Sequence, residues 1–155
     1  EVGYQLLKGA QGIPGKNKTG EIEYDVLLNW VVEVRRLSIQ CHRIEVCDMY
    51  IGEFFARYTR FDKAPTVDIC KIIDLINSGH LNRGFILGII NNRGVVTRGG
   101  GGDQERVLVE HYKQYASEIE NNYPITASIL SDIASNYEEE AKWNDVRDEL
   151  KHFEG

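Results

Sequence analysis

The segment 81–92, LNRGFILGIINN, constrains the fold more than any other stretch of the chain. Gly84 and Gly88 stand four residues apart, so on a helix they share one face. They leave a shallow groove in which a neighbouring backbone can approach closely. Phe85, Ile86, Leu87, Ile89 and Ile90 surround them. A helix apolar on nearly all sides belongs inside a bundle, and this one is too short to span a bilayer. The pattern predicts a central, buried helix against which other helices pack.

The chain leaves this helix through Asn91-Asn92-Arg93-Gly94. Gly94 can adopt the left-handed conformation that closes a helix, and Arg93 suits the negative end of its dipole. Val95-Val96-Thr97 reads as extended. The run Gly99 to Gly102 has little helical preference. Asp103 follows as a cap for the next helix, its carboxylate accepting free first-turn amides.

The remaining chain repeats apolar residues at steps of three and four. Residues 2–10 form a short helix, closed by Gly12-Ile13-Pro14-Gly15, with Ile13 tucked back onto the core. A clear amphipathic helix covers 24–40, carrying Leu27, Trp30, Val31, Val34, Leu37 and Cys41 on its stripe. Off that stripe, Glu33 and Arg36 are spaced to pair at the surface. The next helix covers 44–58, with Met49, Phe54, Phe55 and Tyr58 as core residues. Gly52 in it suits a close helix contact. Pro65-Thr66-Val67-Asp68 starts another helix capped by Thr66, and Asn77-Ser78-Gly79 ends it. Residues 103–123 give the most regular pattern, with Leu108, Tyr112, Tyr115, Ile119 and Tyr123 on one face. Pro124 stops it and suits the first turn of a last helix. There Ile129, Leu130, Ile133, Tyr137, Ala141 and Trp143 continue the packing, and Val146, Leu150 and Phe153 extend it more weakly. No repeat of fixed length is present, so a helical-repeat solenoid is not the leading reading.

The fold class that follows is all-α. It is a single-domain antiparallel array of about six to seven helices over residues 1–155, with a glycine-rich loop before the penultimate long helix. A chain of 155 residues buries a sizeable core, and 42% hydrophobic with 27% charged residues is ordinary for a soluble protein. The net charge of −6 opposes general nucleic-acid binding, which draws on cationic contacts to phosphate. Cys41, Cys47 and Cys70 are odd in number and lack metal-ligand spacing, so they read as free thiols in a reducing, cytoplasmic setting. No signal peptide or membrane-length apolar run occurs. Glu1 in place of an initiator methionine leads us to expect a piece of a longer protein.

Chemistry is sparse. His42, His80, His111 and His152 fall on separate elements without the spacing of a helical metal pair. No serine has a nucleophile-elbow context and no cysteine a catalytic signature. We therefore assign no catalytic residue, metal or cofactor. One anion-binding constellation can be drawn. Between His80 and Gly102 there is no acidic residue, while Arg83, Arg93 and Arg98 are present. A glycine run leading into a helix start exposes backbone amides. Arg93, Arg98, Arg106, Gly101 and Gly102, with Glu53 as a buried carboxylate, would build a site for a small anionic ligand or nucleotide. Arg106 is unfavourable at a helix N-terminus, so either it has a partner such as Glu53 or a bound anion, or it points into solvent at a small dipole cost. The phosphate-loop and dinucleotide fingerprints are both missing.

Several motifs together resemble a family. They are Trp30-Val31-x-x-Val34-Arg35, Ile51-Gly52-Glu53, Asn92-Arg93-Gly94-Val95-x-x-Arg98 and Gly101-Gly102-x-Gln104-Glu105-Arg106. With Pro124-x-x-Ala127 and Tyr137-Glu138-x-x-Ala141, they resemble the C-terminal region of long, uncharacterised bacterial proteins. Some of these are described as helix-turn-helix (XRE-type) transcriptional regulators. The resemblance implies an end domain of a larger protein and no mechanism. The leading expectation is a non-catalytic helical interaction or regulatory module. Its partner is the rest of the parent protein or another copy of itself. The anionic-ligand site is the alternative.

Overall fold

The computed structural model describes residues 12–94 and 101–153. The expected helix at 2–10, the extended stretch at 95–97, Arg98 and the first glycines of the run lie outside the described residues. The described residues form six helices: α1 Tyr24–Gln40, α2 Ile44–Tyr58, α3 Val67–Ile76, α4 Gly79–Asn92, α5 Asp103–Ile119 and α6 Pro124–Phe153. Among the described residues there is no strand, only an isolated bridge between Lys16 and Ile22 ahead of α1. The chain is an all-helical, single-domain array.

The helix boundaries follow from local chemistry. The Thr66 side chain accepts the Ile69 amide at the start of α3, and that of Ser78 accepts the Leu81 amide at the start of α4. Asn77, at φ 47°, takes the left-handed conformation between them and donates its amide to Ile73. Gly94 closes the α4 end at φ +66°, as its position predicts. The α6 start is held from outside the helix. The Asp74 carboxylate of α3 accepts the Ile125 and Thr126 amides, each at 2.9 Å.

The array is built on two close helix pairs. In the first, α2 and α4 touch backbone to backbone. A Cβ on Gly52 would lie 2.1 Å from the Leu81 carbonyl oxygen, and one on Gly84 would lie 2.0 Å from that of Met49. One on Gly88 would meet the Ala56 Cβ at 2.5 Å. Contacts of 49 with 84, 52 with 85 and 56 with 88 advance together, so these helices run parallel, and α3 carries the chain back between them. In the second pair, α5 and α6 are antiparallel: Gly102 meets Ala141 and Tyr112 stacks on Tyr137. Helix α1 folds back on α2, with Trp30 5.1 Å from the Phe54 ring and Arg35 hydrogen-bonded to Asp48.

Leu81, Phe85 and Ile89 are fully buried on α4, so the segment 81–92 is a core helix. Each such side chain contributes about 1.5–3 kcal/mol. Its burial is not complete around the circumference, since Leu87 is 38% exposed. The α1 stripe is narrower than its periodicity suggests. Leu27 and Val31 are buried and Trp30 and Val34 partly so, but Leu37 is 45% exposed and Cys41 lies at the surface. The reason is that α1 is an outer helix packed mainly on α2. Trp143, expected in the core, is 74% exposed, because the inward face at that level of α6 belongs to Ala141 and Asn144.

Candidate functional site

The end of α4 and the start of α5 meet on α6. Arg93, just past α4, turns inward, its side chain only 7% exposed. Its Nη2 donates to Glu105 Oε1 at 2.8 Å, and Nη1 lies 3.6 Å from Glu140 Oε2. The guanidinium also sits 5.4 Å from the centre of the Tyr137 ring, a cation–π contact in a largely dry setting. Glu105 is 1% exposed. Burial alone would raise its carboxyl pKa, but the Arg93 hydrogen bond, the backbone amide and Asn144 outweigh this and hold it below its ordinary 4.5. Dipole arguments supply a local reason for each of Arg93 and Glu105. The fold adds a larger one, since each is the other's buried counter-charge.

The glycine amides have partners within the chain. The Gly102 amide donates to Asp145 Oδ1 at 2.9 Å, and the Gly101 amide donates to Asp148. Arg106 donates to Asp103 at 2.9 Å and to Asp145, while remaining half-exposed. The Gly102 amide, with Arg106, lowers the Asp145 carboxyl below its ordinary 3.8 despite some burial. Asp103 makes no capping bond. The N-cap of α5 is Gly102, and α6 supplies the carboxylates that take the amides. Gly102 also serves as a spacer, since a Cβ there would sit 2.5 Å from the Ala141 carbonyl oxygen.

Arg93, Gly101, Gly102 and Arg106 are thus brought to one end of the α5–α6 pair, but the two arginines serve different carboxylates. Glu53 is not among them. It lies on α2, where a Cβ on Gly88 would come within 3.2 Å of its Cα, and it forms no ion pair with Arg93 or Arg106 among the described residues. Arg106 is half-exposed and meets the carboxylates of Asp103 and Asp145, not Glu53, because α5 begins against α6 and not against α2. An external anion entering here has to displace Asp145 and Asp148. No group of three metal-ligating side chains comes together among the described residues.

A second feature lies further along α6. Trp143, Val146, Leu150 and Phe153 are 74%, 48%, 59% and 87% exposed. They follow one another at steps of three, four and three, and the first three of them line a surface groove with Glu139 and Arg147. At about 100° per residue they fall on the side of α6 opposite Ala141 and Asn144, both buried. Sequence reasoning placed these residues in the packing. The signal that separates them is phase: the inward series Leu130, Ile133, Tyr137, Ala141, Asn144 and the outward series share a period but not a face.

The cysteines are free, with Cys41 exposed and Cys47 and Cys70 buried. No helix among the described residues is long and apolar enough to cross a membrane. No protein family, curated protein or solved structure matches the chain.

Proposed function

We propose that this chain is a non-catalytic helical interaction module, the end domain of a larger bacterial regulatory protein, and that it works through the outer face of α6. The observation that carries this reading is the exposed stripe Trp143, Val146, Leu150 and Phe153. Large apolar side chains grouped on one face of a soluble domain mark an interaction surface, whereas single exposed ones do not. Aromatic residues lead the stripe, and aromatics dominate binding energy at interfaces. The polar clusters elsewhere add support. Arg93, Glu105, Asp145 and Asp148 spend their charges on each other and on the loop amides, as a structural tie does.

Size-exclusion chromatography with light scattering tests the proposal, on the chain alone and mixed with the remainder of the longer protein. Trp143→Ser/Phe153→Ser should keep the unfolding midpoint of the parent chain, since both side chains lie outside the core, and should lose the association. Association that survives the double substitution overturns the reading, as does no association in either mixture.

A further inference from the structure

The outer face of α6 matches itself. Trp143, Val146, Leu150 and Phe153 have the spacing of a and d positions in a helix pair. Continued towards the N-terminus, the same positions are Glu139 and Asn136, which line the groove together with Trp143, Val146 and Leu150. Laid antiparallel on a second copy about a point between Asn144 and Asp145, this seam closes on itself. Trp143 meets Val146 of the second copy, Leu150 meets its Glu139, and Phe153 meets its Asn136. The contact runs over residues 136–153, about five turns of α6. It is apolar at its centre and polar towards its ends, the anatomy of a specific interface. A two-fold contact requires this self-matching of one patch.

The flanking charges select that register. Lys142 and Glu149 flank the seam on one side, both exposed and without a partner among the described residues. Here Lys142 meets Glu149 of the second copy, and the two-fold axis repeats the pair. The other arrangements that stack seam on seam bring like charges together. In parallel, Lys142 faces Arg147 of the second copy. With Trp143 on Phe153 and Val146 on Leu150, the antiparallel contact shortens to residues 143–153, about three turns, and sets Arg147 on Arg147 and Glu149 on Glu149. One heptad the other way, Lys142 faces Lys142. Flanking charges of this kind set partner choice and orientation.

We infer that the outer face of α6 docks a second copy of this chain, antiparallel, with Trp143 on Val146 beside the two-fold axis. The inference rests on the proposed function above and deepens it by naming the occupant.

Sedimentation velocity of the full chain at low salt, over a wide concentration range, reads the association. The wild type should dimerise reversibly and Trp143→Ser should stay monomeric. Lys142→Glu and Glu149→Lys should each weaken the dimer about ten-fold, since each sets like charges together twice. Mixing these two variants in equal amounts should restore it, as should the double variant Lys142→Glu/Glu149→Lys. The single-variant loss should shrink as salt is added. Unfolding midpoints should stay close to that of the wild type, because these side chains stand in solvent. The parallel arrangement predicts instead that Lys142→Glu tightens the dimer, and the Trp143-on-Phe153 register predicts no effect of it. A wild-type chain that stays monomeric, a dimer that survives Trp143→Ser, or a dimer unchanged or tightened by Lys142→Glu overturns the inference. A monomeric chain that binds the remainder of the longer protein, and loses that binding in Trp143→Ser, also overturns it while leaving the interaction surface itself standing.

Discussion

Arg93 and Glu105 show how far a single contact can reach. The pair closes the α4 end onto the α5 start, with both side chains withdrawn from water. Removing one partner leaves the other charge buried. Arg93→Ala should therefore cost about 3–5 kcal/mol in denaturant unfolding, whereas an apolar replacement of both, Arg93→Met/Glu105→Leu, should cost less than the single change. The pH dependence has a definite sign. Glu105 is depressed below its ordinary 4.5 in the folded state, so the unfolded chain takes up the proton first as pH falls. The contribution of Glu105 is present above about pH 4.5 and is lost progressively below it. Stability measured between pH 6 and pH 3 should fall more steeply in the wild type than in Glu105→Gln. Equal acid slopes in the two proteins would show that this carboxyl is not perturbed. Both residues were singled out in the sequence for their places at helix ends. Their pairing was not, because it joins positions twelve apart in the chain, a separation that no local spacing rule covers.

The α2–α4 pair is where the glycine pattern acts. At Gly52 and Gly84 the neighbour is a backbone carbonyl, which cannot rotate away, while at Gly88 it is the Ala56 methyl. Gly52→Ala and Gly84→Ala should each destabilise by at least about 1–3 kcal/mol, the range for overpacking a close contact. Gly79→Ala, in the same α4 helix but with nothing within 4 Å of its added Cβ, is the control. It should be neutral or stabilising by about 0.4–1 kcal/mol through lower unfolded-state entropy. Thermal unfolding of the three variants separates them, and equal midpoints for Gly84→Ala and Gly79→Ala would place the helix crossing elsewhere. The spacing of Gly84 and Gly88 made a helix groove readable. Its occupant, a parallel α2 bringing its own glycine, was not readable, since direction depends on where α3 returns the chain. The motif residues Gly52, Asn92, Arg93, Gly102 and Glu105 are themselves the ones that hold these helices together. Asn92, for instance, donates to the Ala56 carbonyl at 2.9 Å. A resemblance carried on such residues speaks first of the fold.

A single cooperative domain should expose its interior all at once, and the cysteines can report it. Burial, helped by the Asp74 carboxylate, pushes the Cys70 thiol up to about 12, and burial also raises Cys47. Cys41 is exposed. A thiol reagent at mildly alkaline pH should label Cys41 in the native protein. Cys47, beneath α1, and Cys70, between α3 and α6, should become reactive together at one denaturant midpoint. Two separated midpoints would divide the array into independently unfolding parts.

Local sequence determined the helices, because periodicity, capping side chains and glycine or proline breaks act within a few residues of where they stand. The limits of α1 and α2, the Thr66 cap and the Pro124 start all follow from such neighbours. Tertiary structure alone decided which of two apolar faces of α6 points inward. It also decided that Arg93 finds Glu105, that Asp145 and Asp148 take the amides of Gly101 and Gly102, and that Trp143 stands in solvent. A helix bearing two apolar stripes of equal period buries whichever one the other helices reach, and that choice is made by partners distant in the chain.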